Sequence, residues 1–146
     1  MYRIAVGCDP NARECKERII SVLRESGYDV TDMGSDDPIY ANTAYQVGKA
    51  VAGGQYDRGV LICGTGLGMS VAANKVKGVI AALITDCYSA ERARKSNDAN
   101  IACFGAFTLG PKVIEELLMI FLHSEFVPGC ASQPKVDQIR ELETKE

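Results

Sequence analysis

The sequence predicts a doubly wound α/β fold: one domain, residues 1–146, with a parallel five-stranded sheet and helices on both faces. Three observations carry it. Short aliphatic runs alternate along the whole chain with stretches of helical period. Gly, Pro, Asn or Asp marks the changes from one pattern to the other. At 146 residues, 47% hydrophobic and 24% charged, the chain suits a single core. Strands separated by helices pair in parallel through right-handed crossovers.

Residues 2–8 form a buried strand, and Asp9-Pro10 opens an amphipathic helix with Cys15, Ile19, Val22 and Leu23 on one face. Gly27 ends it. Residues 28–33 are a second strand, 34–38 a turn-rich loop, and 40–52 a helix with Ala44, Val47 and Val51 inward, stopped by Gly53-Gly54. A third strand spans 58–63. The glycine-rich turn 64–68 follows it, then a short helix over 69–75 and a strand over 79–84. Asp86 caps the next helix, which carries Ala90, Ala93 and Arg94 and runs out near Ser96. Residues 100–104 are the fifth strand, 111–126 a strongly apolar helix and 133–143 a polar one. No repeat, linker or low-complexity tract divides this Rossmann-like arrangement.

Composition excludes several functions. Sixteen Lys and Arg against nineteen Asp and Glu give a net charge of −3 without a basic face, which argues against nucleic acid as a partner. No apolar run approaches the roughly 20 residues of a membrane span, and the Met-Tyr-Arg-Ile start lacks the features of a signal peptide, so a cytoplasmic location is expected. The six cysteines form no C-x-x-C pair and are expected as free thiols. A single His rules out a two-histidine zinc site of the H-E-x-x-H kind.

Sheets of this class bind ligands beyond the carboxyl ends of their strands, which directs attention to residues 8–10, 33–40, 63–70, 85–86 and 104–110. The most informative is Cys63-Gly64-Thr65-Gly66-Leu67-Gly68-Met69-Ser70. Its glycines let successive N–H groups turn toward one point, and the following helix adds its positive end. It has neither the Gly-Lys-Ser/Thr ending of a nucleotide loop nor the dinucleotide spacing. Such an anion trap would stabilise the thiolate of Cys63 and an oxyanion formed beside it. The plainer alternative is a tight turn with an inert buried cysteine.

The stretch Ile62 to Ser70, followed by Ala72-Ala73-Asn74-Lys75, Asn97-Asp98-Ala99-Asn100 and Lys135-Val136-Asp137-Gln138-Ile139, resembles the ribose-5-phosphate isomerase B and galactose-6-phosphate isomerase family. Ile4 to Asp9 matches as well, so the resemblance spans nearly the whole chain. It implies an aldose–ketose isomerase working without a metal or other cofactor. It also implies a homodimer or dimer of dimers with sites between subunits, the C-terminal helix (133–144) packing on a partner. On this resemblance Cys63 is the base moving a proton between C1 and C2 through a cis-enediolate. Thr65 and the amides of Gly64, Gly66, Gly68 and Ser70 hold the oxyanion, Asp9 anchors a sugar hydroxyl, Asn97 binds the reacting end, and Tyr40 flanks the substrate.

The departures matter equally. Pro10 and Ser96 stand where typical members have histidines, the second of which opens the sugar ring. Phe107 stands where an Arg is common, and the family's Gly-Gly-Arg-His-Gln-Arg-Arg reads Gly129-Cys130-Ala131-Ser132-Gln133-Pro134-Lys135. Candidates for holding a phosphate are therefore Lys135, Ser132, Arg13 and Arg92, with the amides of the first helix. A tetrose 4-phosphate has O4 esterified, cannot close a furanose, and needs no ring-opening imidazole. Tyr40-Ala41-Asn42, Tyr88 to Ala93 and Ser96-Asn97 also resemble the branch acting on D-erythrulose 4-phosphate and D-erythrose 4-phosphate. That is the leading expectation. Its rivals are a ribose-5-phosphate or hexose-6-phosphate isomerase and a non-catalytic sugar-phosphate-binding subunit or sensor. Structural roles compete at several positions: a helix cap for Asp9, a left-handed C-cap for Asn97, core or interface filling for Cys15, Cys87, Cys103 and Cys130, and a solvent-facing helix end for His123.

Overall fold

The apolar runs pair as β1 (Arg3–Cys8), β2 (Asp29–Asp32), β3 (Arg58–Cys63), β4 (Ala81–Leu83) and β5 (Ile101–Gly105), all parallel, in the order β2-β1-β3-β5-β4. The helices are α1 (Arg13–Glu25), α2 (Tyr40–Ala52), α3 (Leu67–Ala73), α4 (Cys87–Lys95), α5 (Pro111–His123) and α6 (Gln133–Glu143). These come from a computed structural model that describes residues 2–145. The expected five-stranded doubly wound sheet is what the chain forms.

Strands buried on both faces read as continuous apolar runs, and β3 and β5 are buried along nearly their whole length. Alternate residues feed two cores. Ile4, Val6, Val60, Ile62 and Phe104 pack with α1, α4 and α5, among them Ile19, Leu23, Ala90, Leu118 and Phe121. Ala5, Leu61, Cys63, Ile101 and Cys103 pack with α2 and α3 through Ala44, Val47, Met69 and Ala73. The chain leaves β1 toward β2 on one side and β3 toward β4 on the other, so the topological switch point lies between β1 and β3. Cys8 pairs with Ile62 and Cys63 with Gly105, which brings the carboxyl ends of three strands to one rim.

Four boundaries differ from the sequence expectation. The helix α5 ends at His123, three residues before 126; Ser124 turns extended, and Pro128 disfavours helix at Val127 just before it. The helix α3 covers Leu67–Ala73 rather than 69–75, because Gly66 at φ +78 starts it early. The strand β4 is three residues long because asparagine side chains take neighbouring backbone groups. Asn100 Oδ1 accepts from Ile80 N at 2.9 Å, while Asn74 bonds both N and O of Ala81 at 2.8 and 2.9 Å. A 3-10 turn, Pro10–Ala12, precedes α1, with Asp9 accepting from the Ala12 amide.

One buried charge was not foreseen. Lys16 of α1 is 3% exposed, and its ammonium donates to both oxygens of Asp32 at 2.8 Å and to Ser35 Oγ at 3.2 Å. The pair pins the loop after β2 to α1. Burial alone would raise the Asp32 carboxyl; the Lys16 ammonium and the Gly34 amide outweigh it and hold the group below the usual carboxylate range. A carboxyl depressed in the folded state adds stability above its unfolded value and loses it as the pH falls. Asp32→Asn should flatten the acid limb of stability below about pH 4 without changing its shape near pH 7, read by urea titrations across pH.

Candidate active site

The glycine loop gets its path from two backbones in contact. A β-carbon on Gly105 would lie 2.6 Å from the Thr65 carbonyl carbon, and one on Gly66 would lie 2.8 Å from the carbonyl carbon of Phe104. Only a chain bare at both positions can be laid down this way, and Gly66 also takes the left-handed conformation. The loop then folds back over the end of β3, and the Gly66 amide donates to Cys63 Sγ at 3.1 Å. Cys63 is 5% exposed. The amides of Gly64, Thr65, Gly68 and Met69 have no acceptor among the described residues, so four donors stand open in the loop's two turns. Thr65 Oγ1 accepts from Leu67 N at 3.2 Å, which starts α3 and leaves the hydroxyl proton free.

Four other predicted residues stand at this rim. Asp9, at the end of β1 and 9% exposed, uses Oδ1 to accept from Ala12 N at 3.2 Å; its other oxygen has no donor among the described residues. The cap and ligand roles are thus both available to it. Tyr40 opens α2, and a β-carbon on Gly68 would fall 2.6 Å from its hydroxyl, so the phenol rests on the first turn of α3. Ser70 lies one turn further along α3 and donates its amide to Gly66 O at 3.1 Å. Arg13 stands at the same end of the sheet but is engaged by Ser35 Oγ at 3.3 Å and Asp36 at 2.6 Å.

Burial separates the thiols. It pushes Cys8 up to about 12, against a smaller opposing pull from Lys16, and it pushes Cys15 and the fully enclosed Cys103 up as well. Those three are held as neutral thiols. Cys63 differs in having an N–H donor on its sulfur and unpaired amides beside it.

Sequence reasoning noted Phe107 only as a departure. Its backbone is locked by Ala106 N to Cys63 O (2.8 Å) and Phe107 N to Gly64 O (2.9 Å), and its ring sits 3.0 Å from where a Gly64 β-carbon would be. It forms one wall of a cleft of about 290 Å³ shared with Asn11, Cys15 and Arg18. The loop's close approach to β5 was the available signal.

Asn97 and Arg92 lie at the opposite end of the sheet. Asn97 follows α4 and precedes β5, whose first residue, Ile101, pairs with Gly59, whereas its last, Gly105, pairs with Cys63. A full strand separates it from the thiol. Arg92 Nε donates to Ser96 Oγ at 2.7 Å in the same region. Ser132 and Lys135 open α6, whose later turns are tied to this end by Arg140 on Asp98 and by Glu143 accepting from Gly78 N at 3.0 Å. One chain therefore carries two separated groups: Asp9, Arg13, Tyr40 and 63–70 at the carboxyl rim, and Arg92 and Asn97 at the amino rim, with α6, which carries Ser132 and Lys135, tied to the amino rim by its last turns.

A doubly wound sheet that sets a thiol, a carboxylate and unpaired amides around its switch point defines an α/β enzyme with a small-molecule site. The chain belongs to the Ribose/Galactose Isomerase family, whose sequence profile matches residues 4–139. It is an aldose–ketose isomerase. It is 47% identical over 146 residues to ribose-5-P isomerase B of Listeria innocua, covering 98% of both chains. It is 43% identical over 150 residues to D-erythrulose-4-phosphate isomerase of Pectobacterium atrosepticum, covering 100% of this chain and 98% of that one. Among solved structures, ribose-5-phosphate isomerase B of Clostridium thermocellum superposes with a TM-score of 0.93 at 38% identity, covering 98% of each chain.

Because Gly105 must stay bare for the loop to form, Gly105→Ala should cost about 1–3 kcal/mol and lower kcat/KM more than about tenfold. Gly110→Ala, which places its methyl in open space, should leave both unchanged. Thermal unfolding and steady-state kinetics of the two variants check this.

Proposed function

We propose that this isomerase interconverts D-erythrulose 4-phosphate and D-erythrose 4-phosphate through a cis-enediolate, with Cys63 as the base. The thiolate removes a proton from C1 of the ketose. The C1–H electrons form the C1–C2 double bond, and O2 takes up the negative charge. The Gly64, Thr65, Gly68 and Met69 amides and the Thr65 hydroxyl hold that oxyanion. The O1 proton passes to O2, and the Cys63 proton returns to C2, giving the aldose. Asp9 anchors a sugar hydroxyl through its free oxygen, and Tyr40 bounds the substrate on the α3 side.

One observation carries the substrate assignment. The residue before Asn97 is Ser96, its hydroxyl accepting from Arg92, and the only histidine is His123 in the last turn of α5. No imidazole is available beside Asn97 in the chain to open a ring, and a 4-phosphorylated tetrose has no furanose to open. The 43% identical D-erythrulose-4-phosphate isomerase supports the same reading. Ribose 5-phosphate is the second reading, favoured by the 47% identical ribose-5-P isomerase B. Purified enzyme should give a higher kcat/KM with erythrose 4-phosphate than with ribose 5-phosphate in a coupled assay; the reverse order overturns the tetrose assignment.

The site is completed between two copies, in a homodimer or dimer of dimers. Its support is the separation of the two residue groups, which a second chain closes by presenting Asn97, Lys135, Ser132 and Arg92 to the first chain's Cys63. Ile39, Tyr45, Leu67 and Val71, each more than half exposed on or beside α2 and α3, supply an apolar face of the kind such pairing buries. No described helix is long and apolar enough to cross a membrane, in keeping with a cytoplasmic enzyme. Cys63→Ala should lower kcat roughly 10²–10⁴-fold and abolish solvent-deuterium uptake at C1 or C2. Mixing and refolding Cys63→Ala with a comparably inactive Asn97→Ala should restore about one quarter of wild-type activity, since half the dimers then hold one intact site of two. Failure of the mixture to recover activity overturns the shared site.

A further inference from the structure

We propose that Asp98 is a positioning residue, clamped by Arg94 and Arg140 so that Asn97 and the start of α6 are held in one fixed relation. The inference rests on the reading of Asn97 as a substrate-binding residue. Asp98 is the sole described non-glycine residue with positive φ, at +53. It occupies the turn that closes α4, where its amide donates to Arg94 O at 3.0 Å and the Ala99 amide to Ala93 O at 2.8 Å. Glycine is the residue this turn prefers, and a carboxylate beside the negative end of a helix is electrostatically disfavoured. The turn alone would not choose aspartate.

The carboxylate is instead shared between two helices. Its Oδ1 accepts from Arg94 Nη1 at 2.9 Å, and its Oδ2 from Arg140 Nη2. Arg94 is 5% exposed, and the same Nη1 donates to Ala99 O at 2.7 Å. Its Nε is buried without a partner, a cost accepted to keep the guanidinium under Asp98. Arg140 is half exposed and reaches Asp98 from α6, across 42 residues of sequence. The turn that carries Asn97 is therefore tied to the helix whose first turn carries Lys135. An amide for the reacting end of the sugar and an ammonium for its phosphate become parts of one rigid unit, although they come from separate elements. Misplacement of either by about an ångström would cost catalysis far more than stability.

Arg140→Gln tests this at a half-exposed position, with Asp98→Asn, which tolerates the left-handed turn, as the second variant. Both should lower kcat/KM with the preferred sugar phosphate between about 5- and 100-fold; the melting temperature should move by less than a few degrees in Arg140→Gln and fall further in Asp98→Asn, which also strips the buried Arg94 of its counter-charge. Arg140→Lys should recover most of the loss. Arg140→Gln combined with Asn97→Ala should be no worse than Asn97→Ala alone, because a clamp acts only through the group it holds. Full activity in Arg140→Gln beside an impaired Asn97→Ala overturns the clamp and leaves the reading of Asn97 standing, as do losses that multiply in the double variant. Full activity in Asn97→Ala overturns that reading, and the clamp's role in catalysis with it.

Discussion

The contact between the Thr65 backbone and Gly105 fixes the path of the loop that carries Cys63 and the open amides. The parallel sheet sets the ends of β3 and β5 side by side, and the loop leaving β3 can cross the end of β5 only if both are stripped of side chains at the crossing. Once it crosses, α3 must begin at Leu67, its unpaired amides must face the rim, and the sulfur of Cys63 must meet the Gly66 amide. Tyr40 gains a seat because Gly68 leaves room for a phenol on α3. A tolerance of a few tenths of an ångström between two backbones thus fixes the position of a thiol, a hydroxyl and a set of open amides together.

Of the six thiols, burial holds Cys8, Cys15 and Cys103 as neutral groups. Cys8, at the end of β1, reaches the same rim as Cys63, yet desolvation in the core with α1 keeps it protonated. Cys103 lies one strand away on the face shared with Cys63 and is enclosed completely. Cys63, on the same rim and face, has the Gly66 amide on its sulfur, and that donor belongs to the loop.

Most of the fold could be read from the sequence because parallel strands buried on both faces are written as uninterrupted aliphatic runs, and glycines and asparagines punctuate them. The rim residues were legible for the same reason: they follow strands. Lys16 was missed although Ala12, Lys16, Ile19 and Leu23 recur at the spacing of an inward face; a lysine among them reads as polar surface unless its distant partner, Asp32, is known. The distance between Asn97 and Cys63 was implicit, since a residue after a crossover helix lies at the amino rim, but motif resemblance gathers residues by role and not by location. Of the bonds among Asp98, Arg94 and Arg140, the Arg94–Asp98 pair has the local i, i+4 spacing, but the Arg140 bond has no local signature, because Arg140 belongs to a helix that no periodicity relates to α4.

The asparagines that shorten β4 do more than end a strand. This is the margin of the sheet, where an unoccupied row of amides and carbonyls would invite a strand from another molecule. Asn74 occupies both backbone groups of Ala81 with its side-chain amide, whereas Asn100 takes the Ile80 amide on the side that faces β5, and three residues of ladder offer little for a partner to pair with. Strand addition at β4 is disfavoured in this way, and any surface this margin offers for recognition is made of helices and loops, which carry shape and sequence rather than repetitive backbone.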